Sequence, residues 1–292
     1  MRNIQFAASH KILAIGFICA LLVTGALAQK SSEEKLTAES LLAKHLDSIG
    51  TTEDRNGVHS LMAVGTARAT FFGRGGGVAD GISVVASKGD KHMVAMKFNT
   101  SDYPFEKMGF DGKDFSVGYV KPGVRSTLGS FLRTNEKSFG NGVLGGTLSN
   151  SWALLNFDPK EAKLKYAGTK KIDGKKVYAL DYSPKKGSDL DITLFFDTET
   201  FHHVRTEYKR VIAARQGATV DTSAGQSETR YLFVEDFGDY RTEGKLMLPH
   251  SYKMSLEILT GNGTTSYEWL MNLDRFSFNT PIDDKDFNVE AY

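Results

Sequence analysis

The feature that most constrains this chain is a two-residue alternation of side chains that recurs along most of its length. Leu190, Ile192, Leu194 and Phe196 alternate with Asp191, Thr193, Phe195 and Asp197, and Val204, Thr206 and Tyr208 continue the pattern. Tyr252, Met254, Leu256 and Ile258 repeat it, as do Tyr267, Trp269, Met271 and Leu273. A period of two sends successive side chains to opposite faces of a strand, so each segment offers one face to a core. Leu61, Ala63, Gly65, Ala67, Ala69 and Phe71 form a face of mostly small residues, on which something bulky can pack. Further strands are expected at 81–87, 91–98, 105–110, 114–120, 228–237, 247–259 and 265–278. Gly-Asp and Asp-Gly turns at 88–91, 111–114 and 173–174 separate some of them. About a dozen strands with no alternating helices exclude a doubly wound parallel fold. They point to one large antiparallel sheet that curls.

Two stretches break the alternation. Leu36 to Ile49 is a helix by its cap at Thr37, its stripe of Leu41, Leu42, Leu46 and Ile49, and the stop at Gly50. From Ser126 to Phe157 the apolar residues also fall at helical spacing: Leu128, Phe131 and Leu132; Val143, Leu144 and Leu148; Trp152 and Leu155. Glycines at 129, 140, 142, 145 and 146 cut this stretch into short pieces. The expectation is a set of short helices lying over the concave face of the sheet as a cover that can shift. The plainer alternative is a set of fixed core helices.

The first residues read as a targeting segment. Arg2 and Lys11 precede or flank an apolar run from Ile12 to Val23, and Ala26-Leu27-Ala28 is a small-x-small cleavage site. The exported chain then begins at Gln29 and keeps 264 of the 292 residues, enough for a single β domain over 29–292. The one cysteine, Cys19, lies in the part removed, and Ile18 before it is unsuited to a lipid-attachment site. The exported chain therefore has no disulfide to lean on and must be stabilised by its core. Loss of Arg2 and Lys11 leaves 34 of the 36 basic residues against 35 acidic ones, a net charge of −1. That balance gives no reason to expect nucleic acid. No later run is long enough for a membrane-spanning helix, so the expectation is a soluble periplasmic protein.

A search for reactive groups yields little. His202 and His203 are neighbours on a strand, face opposite ways and cannot chelate one metal together. Gly73 to Gly77 lacks the Lys-Ser/Thr ending of a phosphate loop, and no Gly-x-Ser-x-Gly occurs. Asp189/Asp191 and Asp283/Asp284 sit in polar turns. Arg68, the one charge within the small-residue strand, is expected on the wet face. Neither a catalytic residue, nor a metal site, nor a cofactor is expected, and a binding protein is the better reading than an enzyme.

The helix AESLLAKHLDSIG (38–50), the hairpin segments DGKKVYALDYSPK (173–185) and LDITLFFDTETFHHVR (190–205), and EGKLMLPH (243–250) together resemble the exported lipoprotein carriers of the LolA/LolB type. The order and spacing of these segments cover nearly all of the exported chain, which is longer than a typical carrier at 121–157 and 212–227. The resemblance implies an α+β, mostly β fold: a half-open antiparallel barrel with an N-terminal helix, and helices covering its concave face. It implies a cavity for acyl chains, so the ligand is a lipid or a lipoprotein's acyl group, exchanged with membrane-bound donor and acceptor proteins by a monomer. The residues expected to border it are Phe131, Leu132, Leu144, Leu148, Trp152 and Leu155. The alternative of the same fold is an envelope sensor or protein-interaction module with a filled core. N-terminal sequencing of the exported protein is expected to begin at Gln29; an acylated start at Cys19 would overturn that reading.

Overall fold

The computed structural model describes residues 36–73, 76–185, 189–214 and 227–291. The targeting segment, the start at Gln29, two residues of the turn at 73–77 and most of the polar loop before Ser227 lie outside the described residues. Twelve antiparallel strands form one sheet. They are β1 Ser60–Phe71, β2 Gly77–Lys88, β3 Lys91–Phe98, β4 Phe105–Phe110, β5 Phe115–Val117, β6 Ala162–Ile172, β7 Lys175–Pro184, β8 Asp191–Asp197, β9 His203–Ile212, β10 Thr229–Glu243, β11 Leu246–Thr260 and β12 Gly263–Phe278. Their order is β5-β4-β3-β2-β1-β12-β11-β10-β9-β8-β7-β6, so among the described residues β5 and β6 are the edge strands and the barrel is not closed. Two meanders, β1–β5 and β6–β12, are joined by the pairing of β1 with β12.

The sheet curls. Twelve strands about 4.8 Å apart would span roughly 50 Å if flat. Yet Val94 and Met96 of β3 share one core with Leu180 of β7 and Ile192 of β8. The alternation sets this up: on β1, Leu61, Ala63, Ala67 and Ala69 are buried while Thr66 and Arg68 are exposed. Arg68 is on the wet face as expected, its Nε 2.6 Å from Asp80. The bulky partner of the small face includes Trp269 of β12, which is paired opposite Ala69 and fully buried.

Helix α1, Ala38–Ile49, starts at the expected cap. Thr37 Oγ1 accepts the Ser40 N–H at 3.1 Å, and Ser40 Oγ accepts the Thr37 N–H at 2.9 Å, so two orphan donors are satisfied. Its inward stripe is Ala38, Leu41, His45 and Ile49, with Leu42 and Leu46 half-buried. A short helix α2, Thr52–Asn56, follows.

The connection from β5 to β6 starts at one edge of the sheet and ends at the other, and it contains the stretch 126–157. Its first stripe is helical: α3, Thr127–Thr134, followed by the single turn α4, Glu136–Phe139. Its second and third stripes are not. Gly146–Leu148 is one 3₁₀ turn, and residues 151–156 form turns. The cause is backbone geometry, since Gly142, Gly145 and Gly146 lie at φ 72°, 80° and 50°, where a helix cannot continue. Strand β6 escapes the alternation pattern because a bulge between Tyr166 and Thr169 shifts its phase.

Gly65 sits at the bulge where β1 meets β12. A Cβ there would fall 1.8 Å from the Asn272 carbonyl oxygen, which is backbone and cannot step aside. Gly65→Ala is therefore expected to destabilise the fold by about 2–3 kcal/mol in chemical denaturation.

Candidate functional site

The cover over the concave face is built from residues 126–157. Ser126 opens α3 by accepting the Gly129 N–H at 2.8 Å. Leu128, Phe131 and Leu132 then point into the sheet, and Phe139, Val143, Leu144, Leu148, Trp152 and Leu154 continue the buried series. All of them belong to the same core as the inward residues of the sheet. Of the six residues expected to border a ligand, Phe131, Leu132, Leu144, Leu148 and Trp152 are buried there. Leu155 is half-buried and bridges this core to a second cluster of Ile49, Leu61, Leu246 and Leu248. Phe131 stacks on Tyr231 with centroids 5.5 Å apart. Trp152 stacks on His203 at 4.8 Å and meets His45 edge-on at 5.2 Å.

Among the polar links that fasten the cover to the sheet, three hold α3 and the turn at Leu144. The first is at Glu235 of β10, fully buried. Tyr208 Oη lies 2.9 Å from the Val143 carbonyl and 2.6 Å from Glu235 Oε2. Tyr208 has one phenol proton for these two acceptors when Glu235 is ionised; when the acid is protonated it supplies the proton of the 2.6 Å bond itself. The Gly145 N–H donates to Glu235 Oε1 at 2.9 Å, and Tyr252 Oη bonds the same oxygen. Glu235 can keep all of these bonds in its protonated form. Burial pushes its pKa up to about 7, against the opposing pull of the Tyr208 and Tyr252 hydroxyls and the Gly145 N–H.

The second link is at the start of α3. Glu106 of β4 is buried and bonded by Tyr103 Oη and the Ser126 hydroxyl. Tyr103 in turn accepts the Trp269 Nε1–H at 2.8 Å. Burial again pushes the acid up to about 7, against these hydroxyls. The third link is at the end of α3, where Arg210 Nη1 donates to Asn135 Oδ1 at 2.9 Å and Asn135 Nδ2 donates to the Phe131 carbonyl at 2.7 Å. Beside that link, α3 and β9–β11 frame a cavity of about 150 Å³, lined by Phe131, Ile212, Tyr231 and Ile258 with Thr127 and Arg210 among its polar residues. A larger hollow of about 920 Å³ lies beyond the cover, between β5, α4 and the C-terminal residues, and carries Lys113, Arg133 and Lys137.

The histidines of the core serve packing. His45 Nδ1 lies 2.8 Å from the Phe201 carbonyl and so carries the ring proton. Burial drives its pKa down to about 3. His203 is bonded through Nε2 to Thr206 Oγ1 at 2.9 Å and is also pushed down, chiefly by burial. His202 instead stacks on Tyr240 at 4.3 Å. Among the described residues no group of three His, Cys, Asp or Glu side chains is placed to hold a metal.

The acids at the links were not singled out from the sequence, although one signal was present. Glu235 is in phase with Phe233 and Phe237 on the inward face of β10, and Glu106 is in phase with Met108 on β4. An acid in register with core residues is a buried acid, and a buried acid needs partners.

No protein-family model matches this chain, and no curated protein matches it. Among solved structures it is similar to a LolA superfamily protein from Nitrosomonas europaea, at 17% identity over 87% of this chain and 98% of that one, with a TM-score of 0.46. It is similar to a putative outer membrane lipoprotein-sorting protein domain from Vibrio parahaemolyticus, at 15% identity over 86% and 97% of the two chains, TM-score 0.43. A DUF1329 family protein from Desulfovibrio piger gives 11% identity over 86% and 97%, TM-score 0.44.

Glutamine at 235 would mimic the neutral acid, its amide donating to Tyr208 and its carbonyl accepting from Gly145 and Tyr252. The native pKa of about 7 stands above the ordinary 4.5, so the native state holds its proton longer than the unfolded chain. Stability from this group is then full below pH 4.5 and is lost as pH rises toward 7. Glu235→Gln is expected to match the parent protein near pH 4.5 and to exceed it at pH 8 by roughly 3 kcal/mol, read from denaturation curves at both values. A constant difference across that range would show that the acid is charged throughout.

Proposed function

We propose that this protein is an exported, periplasmic carrier that binds an acylated ligand, a lipid or a lipoprotein's acyl chain, between the concave sheet and the cover. In this reading the arrangement described above is its closed form. The observation that carries this reading is the apolar mouth at α3, where Phe131, Ile212, Tyr231 and Ile258 border a cavity at the rim of the concave face. Displacement of α3 from that rim would extend the cavity along Leu132, Leu144, Leu148, Trp152 and Leu155.

Bond-making groups are not needed for such a task. Each methylene moved from water to an apolar site contributes roughly 0.8 kcal/mol, so a long chain is held by burial alone. The cover suits repeated movement: its pieces are one or two turns long, and its glycines at positive φ let the backbone change direction without side-chain clash. An acyl chain does not travel free in water, so a membrane-bound donor and a membrane-bound acceptor complete the cycle. The resemblance of residues 173–205 to the LolA/LolB carriers supports the same reading.

The second reading, a sensor or interaction module with a filled core, is favoured by one observation. Leu132, Leu144, Leu148 and Trp152 are each 0% exposed in the closed form. Organic extraction of the gently purified protein, followed by lipid mass spectrometry, separates the two. The carrier reading expects bound lipid in stoichiometric amount, or uptake of added lipid. It also expects amide exchange in 126–157 faster than in 176–209 when empty, slowing on loading. An empty protein that takes up no lipid, with a cover as protected as the sheet, would leave the filled-core module.

A further inference from the structure

Strand β6 is an edge strand among the described residues, and the hairpin it makes with β7 gathers positive charge. Lys163, Lys165, Lys170 and Lys171 lie on β6, and Lys175 and Lys176 on β7, all exposed. None of them makes an ion pair within 4.0 Å among the described residues. Single lysines on an edge strand are an ordinary guard against edge-to-edge aggregation. This hairpin goes further than that. Its register sets Lys171 directly opposite Lys176, and Lys170 and Lys175, one position away on the two strands, project from the other face of the hairpin. Like charges directly opposite one another weaken a strand pair, so protection from aggregation does not account for the arrangement. The acid of the turn, Asp173, pairs with Arg205, 3.6 Å away, and with none of these lysines.

A second observation adds chemistry to the charge. On the face that carries Lys171 and Lys176, the half-buried rings of Tyr166, Tyr178 and Phe201 form a row, with Tyr178 stacked on Phe201 at 5.9 Å and Tyr166 6.3 Å from Tyr178. Lys44 of α1 lies over the Phe201 ring at 4.9 Å. Half-buried tyrosines flanked by exposed lysines suit the boundary between lipid headgroups and water.

We infer that the β6–β7 hairpin is an electrostatic docking site for the surface of a bilayer rich in anionic phospholipid. An acidic protein would satisfy the charge but gives no reason for the adjoining aromatic row. The inference is independent of the acyl-carrier reading, because it concerns the outer edge of the sheet and not the space under the cover.

Flotation of the purified exported protein with phosphatidylglycerol-containing vesicles and with pure phosphatidylcholine vesicles tests it. Binding is expected to the anionic vesicles alone, and to disappear near 0.5 M salt, where the screening length falls to roughly 4 Å. Each lysine near an anionic surface strengthens partitioning about fivefold, so the combined Lys170→Gln, Lys171→Gln, Lys175→Gln and Lys176→Gln variant is expected to lose on the order of a hundredfold or more. A control with Lys113, Lys121, Lys137 and Lys245 changed to Gln carries the same net charge and is expected to bind as the parent does. Because the hairpin variant removes like-charge repulsion, its melting temperature is expected to hold or rise. The single changes Lys171→Gln and Lys176→Gln, each expected to weaken binding about fivefold, provide the same reading should the combined variant fold poorly. Absence of binding, equal binding to both vesicle types, or an equal loss in the control would overturn the inference.

Discussion

An open sheet that curls has an apolar concave face and no second sheet to bury it against. Everything else in this molecule follows from that deficit. The chain meets it through topology: β5 and β6 lie at opposite edges, so the segment between them must cross from one side of the sheet to the other. A crossing segment of that kind is well placed to fill the concavity, and residues 126–157 do so with Leu128, Phe131, Leu144, Leu148 and Trp152. α1 closes a further part of the same face, through Leu41 and His45.

The cover is attached in two chemically different ways. Its apolar side chains give most of the stabilisation, at about 1.5–3 kcal/mol for each large residue buried. The polar links give position. Glu235 and Glu106 each sit where a carboxylate is expensive, and burial raises the pKa of each to about 7 against the pull of its hydrogen-bond partners. An acid of this kind is worth little as net stability, but it fixes which backbone group meets which side chain. The Val143 carbonyl and the Gly145 N–H are the groups fixed at Glu235, and these flank Leu144. The register of the cover is therefore set at its most irregular point.

Much of the sheet could be read from the chain. β3 and β4 begin and end at the expected residues, 91–98 and 105–110, and α1 begins at its cap, because in these segments local propensity and period agree. The cover was legible only in part. The first stripe became α3, where Ser126 supplies a cap; the stripes around Leu144 and Trp152 have helical spacing but glycines whose backbone angles forbid a helix. Spacing reports which side chains share a face, and in a tightly turned loop the same spacing arises without a helix. β6 was missed because its lysines and its bulge hide the alternation of Leu164 and Tyr166. The inward acids were hidden for another reason: composition treats Glu235 as a surface charge, and only its register with Phe233 and Phe237 says otherwise.

The pairing of β1 with β12 also sets an order in time. β1 can find β2 as soon as both are made, but its other edge has to wait for residues 263–278, the last strand of the sheet in chain order. Such a long-range closure is slow, and a strand left open in the meantime is a hazard to the newly made chain. The waiting strand is composed to suit. Its apolar face is largely alanine and glycine, which offer other chains little to adhere to, and Arg68 stands on the opposite face. The small side chains that later make room for Trp269 thus also keep the half-finished sheet from recruiting a stranger.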